Sequence, residues 1–504
     1  MSLAQIVSRA QEGVKATEIL VEVHITNGLP ALSIVGMPET AVKESKDRVR
    51  GALINSQFEF PTRRITINLA PADLPKEGGR FDLAIAIGIL AASGQIPADK
   101  LDQYEFAGEL ALSGEIRPVK AMIPMSVACR QAGRKLICPV ANVREAALAK
   151  DAEVYGGQHL LDVCAHLDHS KPLAAASAPD WSRLQNNAPD MDEVQGQSHA
   201  KRALEIAAAG GHSLLMIGPP GTGKTMLSSR LPGILPLMTE PEALETASIA
   251  SISDHGMQAQ NWMRRPFRSP HHTASGVALV GGGPNPRPGE ISLAHNGIMF
   301  LDELPEFDRK VLEVLREPME SGRIVISRAA RQAEFPAKFQ LIAAMNPCPC
   351  GYLGDLQGRC HCTADQVTRY RQKISGPLMD RIDMHIEVPA LPVSILRKKA
   401  RIQGESSADI RQRVEKSRKR QLQRNGTINA QLGSEGIDNN CQLSSNDQLL
   451  LEQAMVKLGL SMRAHQKILK LSRTIADLDG ESAIRTAHLT EALSYRQLDR
   501  NPAL

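Results

Sequence analysis

One run of eight residues, Gly218-Pro219-Pro220-Gly221-Thr222-Gly223-Lys224-Thr225, restricts the fold of this chain more than anything else in it. It satisfies GxxxxGK[ST], follows an apolar segment at 213–217 and precedes helical spacing at 226–231. A strand, a phosphate-binding loop and a helix in that order form one unit of a parallel α/β sheet. The glycines let the backbone turn its N–H groups inward as an anion nest and approach a phosphate closely. Lys224 can reach the β and γ phosphates, and the Thr225 hydroxyl can ligate Mg²⁺ at a helix N-terminus.

The surrounding stretch, 191–389, continues in that style. Residues 297–301 are an unbroken apolar run, as expected of a central parallel strand, and end in Asp302-Glu303. Asp302 is placed to hold Mg²⁺ directly or through water, and Glu303 to orient and polarise the attacking water. A second buried strand at 339–345 ends in Asn346. Beyond about 390 the pattern turns helical: 447–458 closes on Gly459, Ser461 can cap 462–478, and a further helix covers 488–498. Residues 1–167 read as an α+β domain without a phosphate loop. Its strands fall at 21–25, 31–35 and 64–69, and its helical spacing at 40–57 and 82–92. Residues 168–190, rich in Ala, Ser, Pro and Asn, read as a linker.

With 504 residues the chain needs more than one core, and no apolar run approaches the ~20 residues that span a bilayer. The start lacks the pattern of a signal peptide, so no membrane association and a cytoplasmic location are expected. Net charge is only +4, but 397–424 holds eleven Lys/Arg against Glu405, Asp409 and Glu415. Such density can face nucleic acid, but more often makes a solvated helix face. Aromatics at 3% argue against reading many stacked bases, so any DNA contact should be mostly to phosphates.

Cys129, Cys138, Cys164 and Cys441 are scattered and read as reduced thiols. Cys348, Cys350, Cys360 and Cys362 instead form two Cys-x-Cys pairs separated by nine residues. Two thiolate pairs suit a closed, structural tetrahedral Zn²⁺ site; a redox disulfide or unliganded thiols are the alternatives. His271 and His272 are adjacent, lack i, i+4 spacing and have no obvious third ligand, so no metal is assigned to them.

Six segments together resemble the magnesium-chelatase-like AAA+ family, and within it the ComM/YifB branch. They are Asp192-Glu-Val-Gln-Gly-Gln197, the phosphate loop, Arg268-Ser-Pro-His-His-Thr-Ala-Ser275, the stretch 297–304, Asn346-Pro-Cys-Pro-Cys-Gly351, and Gly376-Pro-Leu-Met-Asp-Arg-Ile-Asp383. The resemblance implies an AAA+ P-loop core at 191–389, a C-terminal helical lid at 390–504 and a Lon-protease-like domain at 1–167. It implies ATP as the nucleotide and a catalytic set of Lys224, Glu303, Asn346, Arg381 and Arg463. In that set Asn346 senses the γ-phosphate or its attacking water, Arg381 is a finger reaching a neighbour's nucleotide, and Arg463 is the lid's second sensor. An ordinary surface salt bridge is the other reading of Arg381. A finger supplied in trans makes hydrolysis depend on assembly, which implies a homo-hexameric ring with ATP sites at subunit interfaces.

Two segments, 265–295 and 322–335, resemble the pore-facing hairpin inserts of this subgroup. Arg328 and Arg331 in the second could grip phosphates of single-stranded or branched DNA, or be routine charges on an exposed hairpin. In the first domain Arg80 stands where Lon-type domains carry the nucleophilic serine, and the expected lysine falls near Ile123, so peptide hydrolysis is not expected. That domain then reads as a ring-stabilising or DNA-handling platform, with Arg63, Arg64, Lys76 and Arg80 as candidate phosphate contacts. The implied function is an ATP-driven DNA helicase that performs branch migration of recombination intermediates during natural transformation. A metal-insertion ATPase subunit and a protein remodeller or protease regulator are the competing readings.

Overall fold

The computed structural model describes residues 3–37, 39–177, 188–253, 256–283, 285–328, 331–354, 358–390 and 404–496. The chain divides into two compact units, Met1–Leu184 with Glu240–Trp262, and Gln185–Thr239 with Met263–Leu504.

The first unit is built on a seven-stranded mixed sheet in the order Ala31–Val35, Arg64–Ala70, Lys15–Thr26, Leu3–Glu12, Tyr104–Phe106, Lys135–Pro139, Val154–Gly157. Lys15–Thr26 runs antiparallel to both of its neighbours, and the other pairings are parallel. Helix Asp82–Ala92 is apolar on every side and buried at every position. Gly88 is what lets it lie so close to the sheet, because a Cβ there would stand 2.5 Å from Val23 Cγ2. The helical spacing at 40–57 yields two helices, Thr40–Lys43 and Ser45–Asn55, interrupted at Glu44. Helix Glu240–Ile252 joins this unit against Met122–Gln131, although it is encoded between two segments of the other.

Arg80 and Lys76 turn inward, which corrects their reading as phosphate contacts. The buried Arg80 guanidinium donates to the Lys120 carbonyl at 2.7 Å, and burial lowers its pKa to about 10. Lys76, fully buried, donates to the Pro71 carbonyl. Exposing either cation would orphan those carbonyls. Ile123 is also fully buried, so neither dyad position offers a nucleophile or a base, while Arg63 and Arg64 remain exposed.

The second unit holds a five-stranded sheet in the order Phe267–Arg268, Ile298–Leu301, Gln340–Met345, Leu214–Ile217, Met384–Glu387, and every pair is parallel. All residues of the three central strands are buried, as a sheet covered by helices on both faces requires. Leu204, Ala207, Leu227 and Leu231 from helices Ser198–Gly210 and Lys224–Ile234 close on Met216, Phe300 and Ile342. Phe300→Ala should therefore cost about 3–5 kcal/mol of unfolding free energy, read from the urea midpoint of this unit's transition.

C-terminal helices complete the unit: Ser407–Asn425, Ser434–Asn440, Ser445–Leu458, Met462–Asp479 and Thr486–Ser494. Ser461 accepts from the Ala464 N–H as an N-cap, and Gly459 ends the preceding helix with φ 65°. The described part of the basic run keeps a solvated face, with Lys416, Lys419 and Arg420 exposed, while other arginines turn to internal contacts. Arg418 donates to the Ala208 carbonyl at 2.9 and 2.7 Å, Arg413 pairs with Glu205 and Glu405, and Arg424 pairs with Asp477 at 2.7 Å. Arg413 and Arg418 fasten helix Ser407–Asn425 to helix Ser198–Gly210 of the sheet domain, and Arg424 ties it to helix Met462–Asp479. A second fastening lies at Asp383, 2.9 Å from Lys467 and 3.5 Å from His212. Burial opposes its charge, but Lys467 and His212 outweigh it and hold the carboxyl well below the usual range.

Candidate active site

Because the central strands are parallel and adjacent, three of them deliver their carboxyl ends to one edge of the sheet. Leu214–Ile217 runs into the phosphate loop, Ile298–Leu301 into Asp302-Glu303, and Gln340–Met345 into Asn346. The Gly218 N–H donates to the Met345 carbonyl at 3.2 Å, joining the loop to the neighbouring strand's end. Gly221 and Gly223 hold φ of 78° and 88°, and a Cβ on Gly218 would fall 2.2 Å from the Val388 carbonyl oxygen. The loop's shape thus needs glycine at these positions.

Lys224 folds back into the loop. Its Nζ donates to the Gly218 and Pro219 carbonyls at 2.6 and 2.9 Å and to Asn346 Oδ1 at 3.3 Å. Burial lowers its pKa, against the opposing pull of Asp302 and Glu303. Thr225 Oγ1 donates to Asp302 Oδ2 at 2.6 Å, so the hydroxyl and carboxylate that a hard divalent cation requires already meet. Glu303 has φ 52°, unusual for a residue with a side chain, and its N–H donates to Asp302 Oδ1 at 2.9 Å. Its carboxylate is half-exposed and lies 3.3 Å from His272 Nδ1. His272 in turn lies beside His271, with ring centroids 4.1 Å apart. This contact between the histidine pair and Glu303 had no local signal, since 30 residues of chain separate the partners.

Lys224, Thr225, Asp302, Glu303 and Asn346 are therefore brought together, whereas Arg381 and Arg463 are not among them. Arg381 precedes strand Met384–Glu387, and its carbonyl accepts from Ser213 Oγ at the start of the neighbouring strand. That is the amino end of the sheet, opposite the phosphate loop. Arg381 Nη2 lies 2.9 Å from Glu320 Oε1, and Arg463 Nη2 lies 3.1 Å from the same oxygen. The two arginines share one carboxylate, and nothing in the sequence around Glu320 marks it for that role.

The hairpin is present, with Arg323–Arg328 antiparallel to Arg331–Pro336 and Arg328 opposite Arg331. Its turn at Ala329-Ala330 and the side chains of Arg328 and Arg331 lie outside the described residues. Buried Ile324, Ile326 and Phe335 anchor it. The earlier insert contains helix Gly276–Val280 and a short strand pair, Gly281–Gly282 with Arg287–Pro288, and Arg268 holds Glu290 through two 2.6 Å bonds.

Cys348, Cys350, Cys360 and Cys362 place their sulfurs within 4.8 Å of one another. Cys348 lies 3.4 Å from Cys350 and 3.8 Å from Cys360, with 3.6 Å between Cys350 and Cys360. A tetrahedron with metal–sulfur bonds of ~2.3 Å has edges of ~3.8 Å, so the four thiols fit Zn²⁺. Hydrogen bonds from the Tyr352 and His361 backbone draw the Cys350 pKa down to about 6, whereas the neighbouring thiols push those of Cys360 and Cys362 up.

Three family models match successive parts of the chain: subunit ChlI of Mg-chelatase over 21–142, magnesium chelatase subunit ChlI over 190–396, and its C-terminal portion over 404–496. Competence protein ComM of Haemophilus influenzae is 54% identical over 99% of this chain and 98% of its own length. The uncharacterized protein YifB of Escherichia coli is 52% identical over the same shares. The magnesium-chelatase 38 kDa subunit of Rhodobacter capsulatus is 24% identical over 61% of this chain and 87% of its own.

Proposed function

Because this chain belongs to the ComM/YifB family of magnesium-chelatase-like AAA+ proteins, we propose that it is an ATP-hydrolysing motor that drives branch migration of DNA recombination intermediates in competence. The observation that carries the ATPase reading is the paired contact at the sheet edge, Lys224 with Asn346 and Thr225 with Asp302. Mg²⁺, held by Thr225 and Asp302, would neutralise phosphate charge and polarise the γ-phosphoryl group. Lys224 exchanges its loop carbonyls for phosphate oxygens, and Asn346 is within reach of the same group. Glu303 leaves His272 and accepts the proton of the attacking water. Arg381, on the opposite edge from its own loop, serves a neighbour's nucleotide, so the working form is a hexameric ring with ATP at each interface.

The DNA reading is supported by full-length similarity to a competence protein and by a hairpin whose closing pair is Arg328 and Arg331. Such arginines would engage backbone phosphates of single-stranded or branched DNA, with a strong dependence on salt. The cytoplasm is the fitting compartment; none of the described helices is long and apolar enough to cross a membrane. The metal-insertion reading draws on the magnesium-chelatase family models and on a relative that spans the smaller share of the chain.

The test is strand exchange on a fluorescently labelled mobile junction with Mg²⁺ and ATP. The intact protein should resolve the junction and Lys224→Ala should not. A junction that persists while ATP is hydrolysed overturns the branch-migration reading and leaves the ATPase standing.

A further inference from the structure

The four-cysteine loop is built into the nucleotide site. Cys348 follows Asn346 by two residues on the same strand end, and the Gly351 N–H donates to the Cys348 carbonyl at 3.0 Å, closing the first thiol knuckle. Gly351 holds φ 83°, and a Cβ there would stand 2.8 Å from Pro220 Cδ and 3.8 Å from Asn346 Cγ. The knuckle's backbone therefore lies flush against both the phosphate loop and the residue next to Lys224. The far side of the loop returns to the same place. Helix Ala364–Arg371 starts directly after Cys362 on a Thr363–Gln366 capping box. From it, Arg371 Nε donates to the Pro347 carbonyl at 3.2 Å, one residue from Asn346.

We propose that these four thiolates hold a Zn²⁺ whose task is to brace Pro220 and Asn346, so that metal occupancy sets nucleotide affinity while the sheet and its helices stand without it. This rests on the ATP reading of the phosphate loop. Cys348 is buried, but Cys350, Cys360 and Cys362 are only partly so, and among the described residues no strand crosses the loop between them. Four sulfurs within 4.8 Å of one another, three of them at 3.4–3.8 Å, converge as ligands must, and a divalent cation bound among them would cross-link the two ends of the loop. Without it, the knuckle is free to draw away from Pro220. The neighbouring core of Leu214, Phe300 and Ile342 makes no use of the sulfurs.

The protein, purified without chelators, should carry about one Zn²⁺ per chain by elemental analysis. Stripping the metal with a chelator should weaken binding of a fluorescent ATP analogue on the order of tenfold, about 1.4 kcal/mol. Far-UV circular dichroism should stay unchanged, and added Zn²⁺ should restore affinity. Gly351→Ala provides the second arm: it keeps all four ligands but presses a methyl on Pro220, so zinc should be retained while nucleotide affinity falls. A metal-free protein overturns the proposal, as does zinc loss that leaves affinity within about twofold. Absence of nucleotide binding by the zinc-loaded protein overturns the ATP reading itself, whereas binding indifferent to zinc overturns the brace alone.

Discussion

Glu303→Gln lowers the rate of ATP hydrolysis by about 10²–10⁴-fold, the loss expected when a general base is removed, and leaves nucleotide binding close to that of the parent. Glutamine keeps the shape, and the backbone N–H at 303 still donates to Asp302, but the amide cannot take a proton from water. The cation ligands are untouched, since Thr225 and Asp302 contact each other independently of the Glu303 side chain. Phosphate release at saturating ATP measures the first effect, and titration with a fluorescent analogue measures the second. Turnover at the parent rate in this variant would remove Glu303 from the mechanism and point to another proton acceptor, with His272, 3.3 Å from its carboxylate, a candidate.

Arg381→Ala should cost about 10³–10⁵ in turnover, the range associated with arginine fingers. A simple loss of rate does not say whose nucleotide the arginine serves, so the informative form of the experiment is a mixture. Arg381→Ala subunits have an intact phosphate loop and no finger; Lys224→Ala subunits have a finger and a disabled loop. Combined, they should regain hydrolysis that neither shows alone, because some interfaces will pair a good loop with a good finger. That outcome agrees with Arg381 standing at the amino end of the sheet, opposite the loop of its own chain. If mixing restores nothing, Arg381 acts within its own subunit or serves only to hold Glu320.

The parts of the site that could be read directly were those defined by a strand and the polar residue at its end. An apolar run ending in Asp302-Glu303 or in Asn346 carries its own meaning, since a parallel strand must be buried and the polar group after it must emerge at the carboxyl edge. The C-terminal helices were legible for a similar reason: Ser461 and Gly459 mark their ends with local chemistry. The contacts that escaped join residues distant in sequence. Glu320 meets Arg381 and Arg463 from a helix, a loop and another helix that no local pattern joins. His272 meets Glu303 across a different gap, and Gly351 meets Pro220 across a third. The arginines of 397–424 were ambiguous because charge density records how many cations are present and says nothing of the carbonyls and carboxylates that receive them. In the first unit, the strand Leu3–Glu12 and the break at Glu44 were missed because pairing partners, more than local propensity, settled them.

The passage of Glu240–Trp262 into the first unit has a consequence for how a gene of this kind can be altered. A bead-on-a-string arrangement can be cut once at its linker and recombined as interchangeable cassettes. This chain crosses between its units at the 184/185 boundary, again at Thr239/Glu240, and a third time at Trp262/Met263. A fragment that begins at residue 185 would carry helix Glu240–Ile252 without helix Met122–Gln131, against which it packs. A fragment that ends there would lack a piece of its own interior. Inheritance of the two halves is thereby bound together, and a recombination event able to exchange one of them must have three junctions.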